Sequence, residues 1–169
     1  MCGFAGVIAP PSPQVGTAWA AWAASHMVRR GPDDDGHWSD DDAGVHLAFR
    51  RLSIIDLSAH GHQPMVNADG SSVLVFNGEL YGHDELRREL RGRGVQFRGT
   101  SDTEVVLAAL DAWGDKALER FDGMFAFGLW DQKKERLLLA VDHFAKKPLF
   151  LSSDGTTVRF ASDAKSFWT

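Results

Sequence analysis

Cys2 is the residue whose type and position could most directly do chemistry, and it is the only cysteine in the 169-residue chain. Removal of Met1 would leave a thiol and a free α-amino group on one residue. Because an α-amino group titrates near pH ~7.8, part of it is unprotonated at neutral pH and can accept the thiol proton, while its ammonium form can protonate a leaving amine. The alternative is a small buried hydrophobe at the start of a strand, and position alone does not decide between the two.

Asn77 and Gly78 allow two interpretations. Asn-Gly after a β-run is the commonest signature of a tight hairpin, and taken alone it favours that turn. Alternatively, the Asn77 side-chain amide and the Gly78 N–H donate to a carbonyl oxygen and stabilise the oxyanion that forms when a thiolate attacks it. In that case the glycine allows a close approach of this backbone to a ligand.

Arg50, Arg51 and Asp102 are charged residues that could bind a small ligand. The two arginines are adjacent in a predicted strand, so their side chains leave on opposite faces and normally only one faces a given site. A guanidinium in a pocket would bind a carboxylate through two hydrogen bonds, whereas the alternative is a solvent-facing arginine at a sheet rim. Asp102 could pair with a ligand ammonium group, or it could only complement the dipole of the helix it begins.

Other chemistries lack their sequence signatures. His60 and His62 have no further ligands at a recognised metal-binding spacing, and no segment follows a phosphate-loop or dinucleotide pattern, so we expect no metal and no cofactor. The acidic clusters at 33–35 and 40–42 are interpreted as solvated loops. A single cysteine excludes a disulfide framework, and a formal net charge of -5 argues against nucleic acid or an anionic membrane as partner. Without a spanning apolar run or a basic signal-peptide region, we expect a cytoplasmic location.

The elements that must position these residues follow from hydrophobic periodicity and turn residues. Strands are predicted at 1–8, 45–55 and 72–76. Helices are predicted at 15–29, at 83–91 and from Ser101, where Ser101-Asp102-Thr103-Glu104 fits a capping box. Four strand-length segments indicate an antiparallel meander in the last third: 124–130, 136–142, 147–151 and 157–161. This order of strands, helices and strands indicates an α+β fold in which helices cover stacked antiparallel sheets, with no domain boundary.

Seven short motifs occur in a characteristic order along the chain. They are Met1-Cys2-Gly3 with Gly6, Arg30-Gly31-Pro32-Asp33, Arg51-Leu52-Ser53-Ile54-Ile55-Asp56, His62-Gln63-Pro64-Met65, Phe76-Asn77-Gly78-Glu79-Leu80-Tyr81, Ser101-Asp102-Thr103-Glu104 and Phe121-Asp122-Gly123-Met124-Phe125-Ala126-Phe127. In this order they resemble the glutaminase domain of class II glutamine amidotransferases, of the asparagine synthetase type. The resemblance implies an N-terminal-nucleophile hydrolase fold, a four-layer αββα sandwich of two antiparallel sheets covered by helices, over residues 1–169.

The resemblance also implies roles for individual residues. Cys2, freed by removal of Met1, would attack the side-chain amide of L-glutamine, form a γ-glutamyl thioester and release ammonia, after which water gives glutamate. Asn77 and Gly78 match the oxyanion hole. Arg51 matches the residue that binds the glutamine α-carboxylate, and Asp102 the one that binds its α-ammonium group. Further substrate contacts, largely through backbone groups, are implied for Leu52, Ile54, Ile55 and Glu79.

Within class II, the motifs at 30–33 and 51–54 resemble the asparagine synthetase branch, and the presence of Cys2 separates the chain from β-lactam synthetases. Three positions depart from the family pattern: Val141 stands for arginine, Ala145 for glycine and Gly82 for asparagine. The first two lie toward the synthetase half of the full enzyme and concern docking more than hydrolysis. An ATP-dependent synthetase domain is missing, so we expect a stand-alone glutaminase subunit that supplies ammonia to a separate ATP-dependent synthetase. An excised domain and a catalytically silent binding module are the alternatives.

Overall fold

Nine β-strands form two antiparallel sheets in the part of the chain that the computed structural model describes, residues 1–11 and 13–168. In chain order the strands are β1 (Gly3–Ile8), β2 (Asp34–Asp40), β3 (Val45–Arg51), β4 (Met65–Val66), β5 (Ser72–Leu80), β6 (Gly123–Asp131), β7 (Arg136–Val141), β8 (Phe150–Ser153) and β9 (Val158–Ala161). The first sheet has the order β2-β3-β1-β9-β8 and the second β4-β5-β6-β7.

The two sheets pack face to face because alternate side chains of their strands are apolar. Phe4 and Phe49 of the first sheet share a buried cluster with Val75 and Trp130 of the second. The other face of the first sheet is built from small residues such as Ala48 and is covered by helix α1 (Pro13–Ser25). Small side chains on both surfaces allow this helix to pack closely on the sheet.

The outer face of the second sheet is covered by two further helices, α2 (His83–Gly92) and α3 (Asp102–Trp113). Phe76 and Phe127 of the sheet share a buried cluster with Leu90 and Val106 of the helices. The layers therefore run helix, sheet, sheet, helix, and the predicted αββα sandwich is confirmed. None of the helices in the described ranges is long and apolar enough to cross a membrane.

Several element boundaries differ from the sequence prediction. The helix predicted at 15–29 ends at Ser25, and the strand predicted at 45–55 ends at Arg51. The acidic segment interpreted as solvated loops contains β2, whose register pairs Asp34 with Arg51 and Asp40 with Val45. β2 is an edge strand in which only alternate side chains, Asp35, His37 and Ser39, are exposed, whereas Trp38 packs against the core between the sheets. A polar, acidic sequence suits an edge strand.

One of the two interpretations of Asn77-Gly78 is excluded by strand pairing, and the predicted C-terminal meander is wrong. Asn77 and Gly78 do not form a hairpin, because β5 continues through them to Leu80 and pairs them with Ala126 and Phe125 of β6. The C-terminal strands do not form one meander either. The chain crosses from the second sheet to the first after β7, and β9 pairs with β1.

Candidate active site

Three candidate side chains come from the facing surfaces of the two sheets at one end of the sandwich. Cys2 directly precedes β1 and lies in phase with Phe4, which faces the second sheet. Arg51 ends β3 in phase with the inward-facing Phe49. Asn77 lies in β5 in phase with the inward-facing Val75, so strand alternation directs these residues toward a common space.

A single cavity brings together every site residue that the sequence predicted. Its lining includes Cys2, Arg51, Leu52, Ile54, Ile55, Asn77, Gly78, Glu79 and Asp102. These residues come from both sheets, from the loop after β3 and from the start of α3. Only the tertiary fold places them together, because the most distant two, Cys2 and Asp102, are 100 positions apart along the chain.

Cys2 is held by contacts with the loop after β3. Its Sγ accepts a hydrogen bond from the Leu52 N–H at 3.4 Å and donates to the Leu52 carbonyl oxygen at 3.6 Å. The Arg30 Nε–H donates to the Cys2 carbonyl oxygen at 3.2 Å, which fixes the main chain of the residue. Burial raises the pKa of the Cys2 thiol and outweighs the opposing effect of the Leu52 N–H. The thiol is therefore protonated at neutral pH and needs a base to become a nucleophile.

The free edge of β5 supplies a main-chain donor to the cavity. Successive residues of a strand direct their N–H groups to opposite sides, so Phe76, Gly78 and Leu80 share one edge. The Phe76 N–H donates to the Gln63 side chain at 2.6 Å, and the Leu80 N–H donates to Asp102 at 2.9 Å. Strand β4 pairs only with Val73 and Leu74, so no strand covers this edge beside Gly78 within the described ranges. The Gly78 N–H is thus directed into the cavity, between the Phe76 and Leu80 N–H groups, which already have hydrogen-bond partners.

The Asn77 side chain supplies a second donor. Asn77 is 1% exposed, and its Nδ2 is buried without a hydrogen-bond partner among the described residues. A buried amide N–H₂ without a partner costs free energy, which an incoming oxygen atom would recover. Asn77 Nδ2 and the Gly78 N–H together form a donor pair suited to an oxyanion.

Gly78 is required by its packing against the neighbouring strand. A Cβ at this position would lie 2.3 Å from the Met124 carbonyl oxygen and 2.7 Å from the Phe125 Cα. From the sequence, the expected reason for the glycine is a close approach of this backbone to a ligand. The structure instead shows that β6 itself excludes a side chain here.

Arg50 and Arg51 face opposite ways, as strand geometry predicts. The Arg51 guanidinium lines the cavity, donates to the Ser58 carbonyl oxygen at 2.9 Å and also donates to that of Asp56. A guanidinium has five N–H donors, so Arg51 retains donors for a ligand carboxylate. Arg50 instead donates to the Gly31 carbonyl oxygen at 3.0 Å and pairs with Asp35 at 3.2 Å.

Asp102 is the first residue of α3 and is almost fully buried. Its Oδ2 accepts from the Leu80 N–H and its Oδ1 from the Thr103 N–H, both at 2.9 Å. Burial is the largest influence on this carboxyl and raises its pKa. The N-cap half of the predicted capping box is confirmed, because the Ser101 side chain accepts from the Glu104 N–H at 3.3 Å. The other half is not formed, because the Glu104 side chain accepts instead from the Arg98 and Gly99 N–H groups. A buried carboxylate beside the cavity is suited to a ligand ammonium group.

Several residues that build the site have no role predicted from the sequence. Gln63 lines the cavity and makes the hydrogen bonds to β5, and Lys147 also lines it. Asp56 connects two loops, since it accepts from the Ser58 and Thr100 N–H groups, each at 2.8 Å. Hydrogen bonds from Ser58 and Thr100 hold the pKa of Asp56 well below its usual range. The only sequence signal for Gln63 and Asp56 was their place in the recurring motifs.

A metal centre has no candidate in the described part of the chain. Residues 1–11 and 13–168 contain no group of three or more His, Cys, Asp or Glu side chains placed to hold a metal ion. His62 is hydrogen-bonded to Asp34 at 2.8 Å, and His60 lies in a single turn of 3₁₀ helix at Ala59–Gly61.

The amino-acid sequence of the chain is similar to one protein family and to several known proteins. The model of the glutamine amidotransferase domain family matches residues 1–169. The chain is 43% identical to a putative glutamine-hydrolysing asparagine synthetase of Mycobacterium tuberculosis, covering 98% of this chain and 27% of that protein. It is 40% identical to asparagine synthetase B of Escherichia coli, covering 91% of this chain and 27% of that protein. The chain thus spans about a quarter of the length of these relatives.

The fold also has a counterpart among solved structures. The glutamine phosphoribosylpyrophosphate amidotransferase of B. subtilis superposes with a TM-score of 0.80 at 19% identity, covering 98% of this chain and 43% of that one. At this identity the likeness concerns the fold alone, and it agrees with the expected αββα sandwich.

Proposed function

The chain belongs to the glutamine amidotransferase domain family, and from this membership we propose that it hydrolyses L-glutamine to glutamate and ammonia through a γ-glutamyl thioester on Cys2. The observation that carries the proposal is the common cavity, in which the half-buried Cys2 lies together with the unpartnered Asn77 amide and the edge of β5 at Gly78. A nucleophile and an oxyanion-binding donor pair are the groups that acyl transfer needs.

In the first half-reaction, the Cys2 α-amino group, free after removal of Met1, accepts the thiol proton. Sγ then attacks the δ-carbon of glutamine, and the carbonyl oxygen becomes an oxyanion that accepts from Asn77 Nδ2 and the Gly78 N–H. When the carbon–nitrogen bond breaks, the α-ammonium group of Cys2 donates the proton to the departing nitrogen, and ammonia leaves. In the second half-reaction, the Cys2 α-amino group accepts a proton from water as the water oxygen attacks the thioester carbon. The carbon–sulfur bond breaks, the Cys2 α-ammonium group protonates the departing sulfur, and glutamate and the thiol are released.

Two charged side chains that line the cavity hold the substrate. Arg51 binds the α-carboxylate of glutamine, and Asp102 binds its α-ammonium group. Opposite charges at two points of the cavity fix the direction of a free amino acid, and the side-chain amide then reaches Cys2. The remaining contacts come from Leu52, Ile54, Ile55 and Glu79, which also line the cavity.

The released ammonia is supplied to a synthetase part of the enzyme. This proposal is supported by the relatives, which are glutamine-hydrolysing asparagine synthetases and of which this chain spans about a quarter. The finer expectation, a separate ATP-dependent synthetase subunit, remains a prediction.

The test is glutamate release from glutamine by the chain with Met1 removed. Wild-type protein should release glutamate and ammonia in equal amounts and accumulate a glutamyl adduct on the Cys2 peptide after acid quenching, detected by mass spectrometry. Cys2→Ala should do neither, while its circular dichroism spectrum and melting temperature stay close to wild type. Glutamine binding without hydrolysis in the wild type would instead identify a silent binding module.

A further inference from the structure

The edge of β5 next to Asn77 is completed by one side chain in place of a strand. The Gln63 Oε1 accepts from the Phe76 N–H at 2.6 Å, and the Gln63 Nε2 donates to the Phe76 carbonyl oxygen at 3.2 Å. These are the two hydrogen bonds that a residue of a neighbouring antiparallel strand would make. Gln63 is 4% exposed, so water does not replace it easily.

The same amide also contacts the start of α3. The Gln63 Nε2 lies 3.3 Å from the Thr103 hydroxyl oxygen and donates to it. Thr103 directly follows Asp102 and donates its own N–H to that carboxylate at 2.9 Å. One buried amide therefore connects the strand that carries the oxyanion donors with the helix that carries the proposed ammonium-binding group.

We infer that Gln63 is a positioning residue for the oxyanion donors. It fixes both main-chain groups of Phe76, and the next two residues along the strand are Asn77 and Gly78. If these donors move by a fraction of an ångström, their hydrogen bonds to the oxyanion become weaker, whereas the affinity for the substrate changes much less. The reason is that the oxyanion forms only during the reaction. This inference rests on the proposed glutaminase function.

The far end of the same strand edge provides a matched control. The Asn67 Oδ1 accepts from the Ser72 N–H at 3.0 Å, and the Asn67 N–H donates to the Ser72 carbonyl oxygen at 3.0 Å. Ser72 lies five residues before Asn77 in β5, roughly 17 Å along the strand. Loss of the Asn67 side chain thus removes a similar edge contact without reaching the site.

The experiment compares Gln63→Met with Asn67→Leu by kcat, KM for glutamine, melting temperature and the rate of Cys2 alkylation by iodoacetamide. Gln63→Met should lower kcat about tenfold or more, with KM changed less than about threefold and alkylation near the wild-type rate. Asn67→Leu should lower the melting temperature while its kcat stays within about twofold of wild type. A Gln63→Met kcat within about threefold of wild type, or an equal loss in Asn67→Leu, would overturn the inference.

A second variant keeps the test decisive if Gln63→Met does not fold. Gln63→Glu keeps the size and an acceptor for the Phe76 N–H, but it loses the donor to the Phe76 carbonyl and to Thr103. The same fall in kcat at nearly constant KM is expected, and an unchanged kcat would contradict the inference. If wild-type protein does not release glutamate, the proposed function itself is wrong. If wild type and both Gln63 variants are equally active, only the positioning role is wrong.

Discussion

The thiol of Cys2 is hydrogen-bonded to both main-chain groups of Leu52. The Leu52 N–H donates to Sγ at 3.4 Å, and Sγ donates to the Leu52 carbonyl oxygen at 3.6 Å. The loop after β3 therefore orients the thiol, and burial raises the thiol pKa against the opposing effect of the Leu52 N–H. A protonated resting thiol needs a base before it can attack, and the α-amino group of Cys2 is the base that we propose.

The raised pKa of Cys2 predicts a shifted pH profile for alkylation. Burial disfavours the thiolate, so the folded chain that retains Met1 should react with iodoacetamide with a midpoint at higher pH than the same chain unfolded in urea. The measurement is the alkylation rate against pH for both states, followed by mass. Cys2 is the single cysteine, so the signal has one source. A folded midpoint below the unfolded one would contradict this assignment.

An N-terminal extension should abolish hydrolysis. With any residue before Cys2, its nitrogen becomes an amide and cannot accept the thiol proton, and loss of a general base costs about 10²-fold or more. Glutamate release should fall by that factor while Cys2 remains open to alkylation. The control is a cleavable extension whose removal leaves Cys2 first and restores activity. Full activity in protein whose mass shows an intact Met1 would refute the α-amino base.

Arg51→Ala should raise KM for glutamine, because loss of one partner of a buried charge-assisted contact costs about 2–4 kcal/mol. It should also lower the melting temperature, since Arg51 holds the carbonyl oxygens of Ser58 and Asp56. Arg50→Ala is the matched control, because its side chain pairs with Asp35 on the opposite face of the strand. KM of this control should stay within about twofold of wild type. Equal effects on KM would mean that Arg51 does not bind the substrate carboxylate.

The raised pKa of Asp102 predicts that KM for glutamine rises as the pH falls. Its pKa is raised by burial, so the carboxyl takes up a proton at a higher pH than an ordinary aspartic acid, and the neutral form cannot pair with the substrate ammonium group. Asp102→Asn should have a high KM at every pH and lose this acid limb. Asp111→Asn is the control, since burial also raises the pKa of Asp111, which lies near the other end of α3. A wild-type KM that does not change between neutral and acidic pH would contradict the role.

The edge formed by β7 and β8 should be the docking surface for the synthetase part. Phe144 between these strands is 84% exposed and Phe150 is 39% exposed, so an apolar surface is available. Ala145 in the same segment has φ +48°, a left-handed conformation that suits the glycine of the family pattern. Because apolar burial is not screened by salt, any stimulation of the glutaminase rate by a synthetase should persist at high salt.

The variants for this surface are Phe144→Ser combined with Phe150→Ser, and Val28→Ser as the control. Val28 is 43% exposed and lies three residues after the end of α1, far along the chain from Phe144 and Phe150. The double variant should lose stimulation by an added ATP-dependent synthetase, while the control keeps it. Stimulation that is lost at high salt, or that survives in the double variant, would place the docking surface elsewhere.

The sequence by itself determined most of the local elements, β2 excepted, and the identity of the candidate site residues. The helix of α3 was predictable because Ser101 caps it and its apolar side chains recur at helical spacing, which are interactions within one segment. The opposite directions of Arg50 and Arg51 were predictable because alternation is a property of any single strand. The family motifs then indicated which of the two should face a substrate.

Only the tertiary structure decided between turn and strand at Asn77-Gly78, because its local sequence suits both and pairing with β6 selects the strand. It alone revealed Gln63 as a substitute for a missing strand, since Gln63 and Phe76 are joined by contacts across the fold. It also assigned β9 to the sheet of β1, through pairs such as Ala5 with Ala161. Strand pairing is formed by hydrogen bonds between residues far apart in the chain, so no local pattern of side chains specifies the partner.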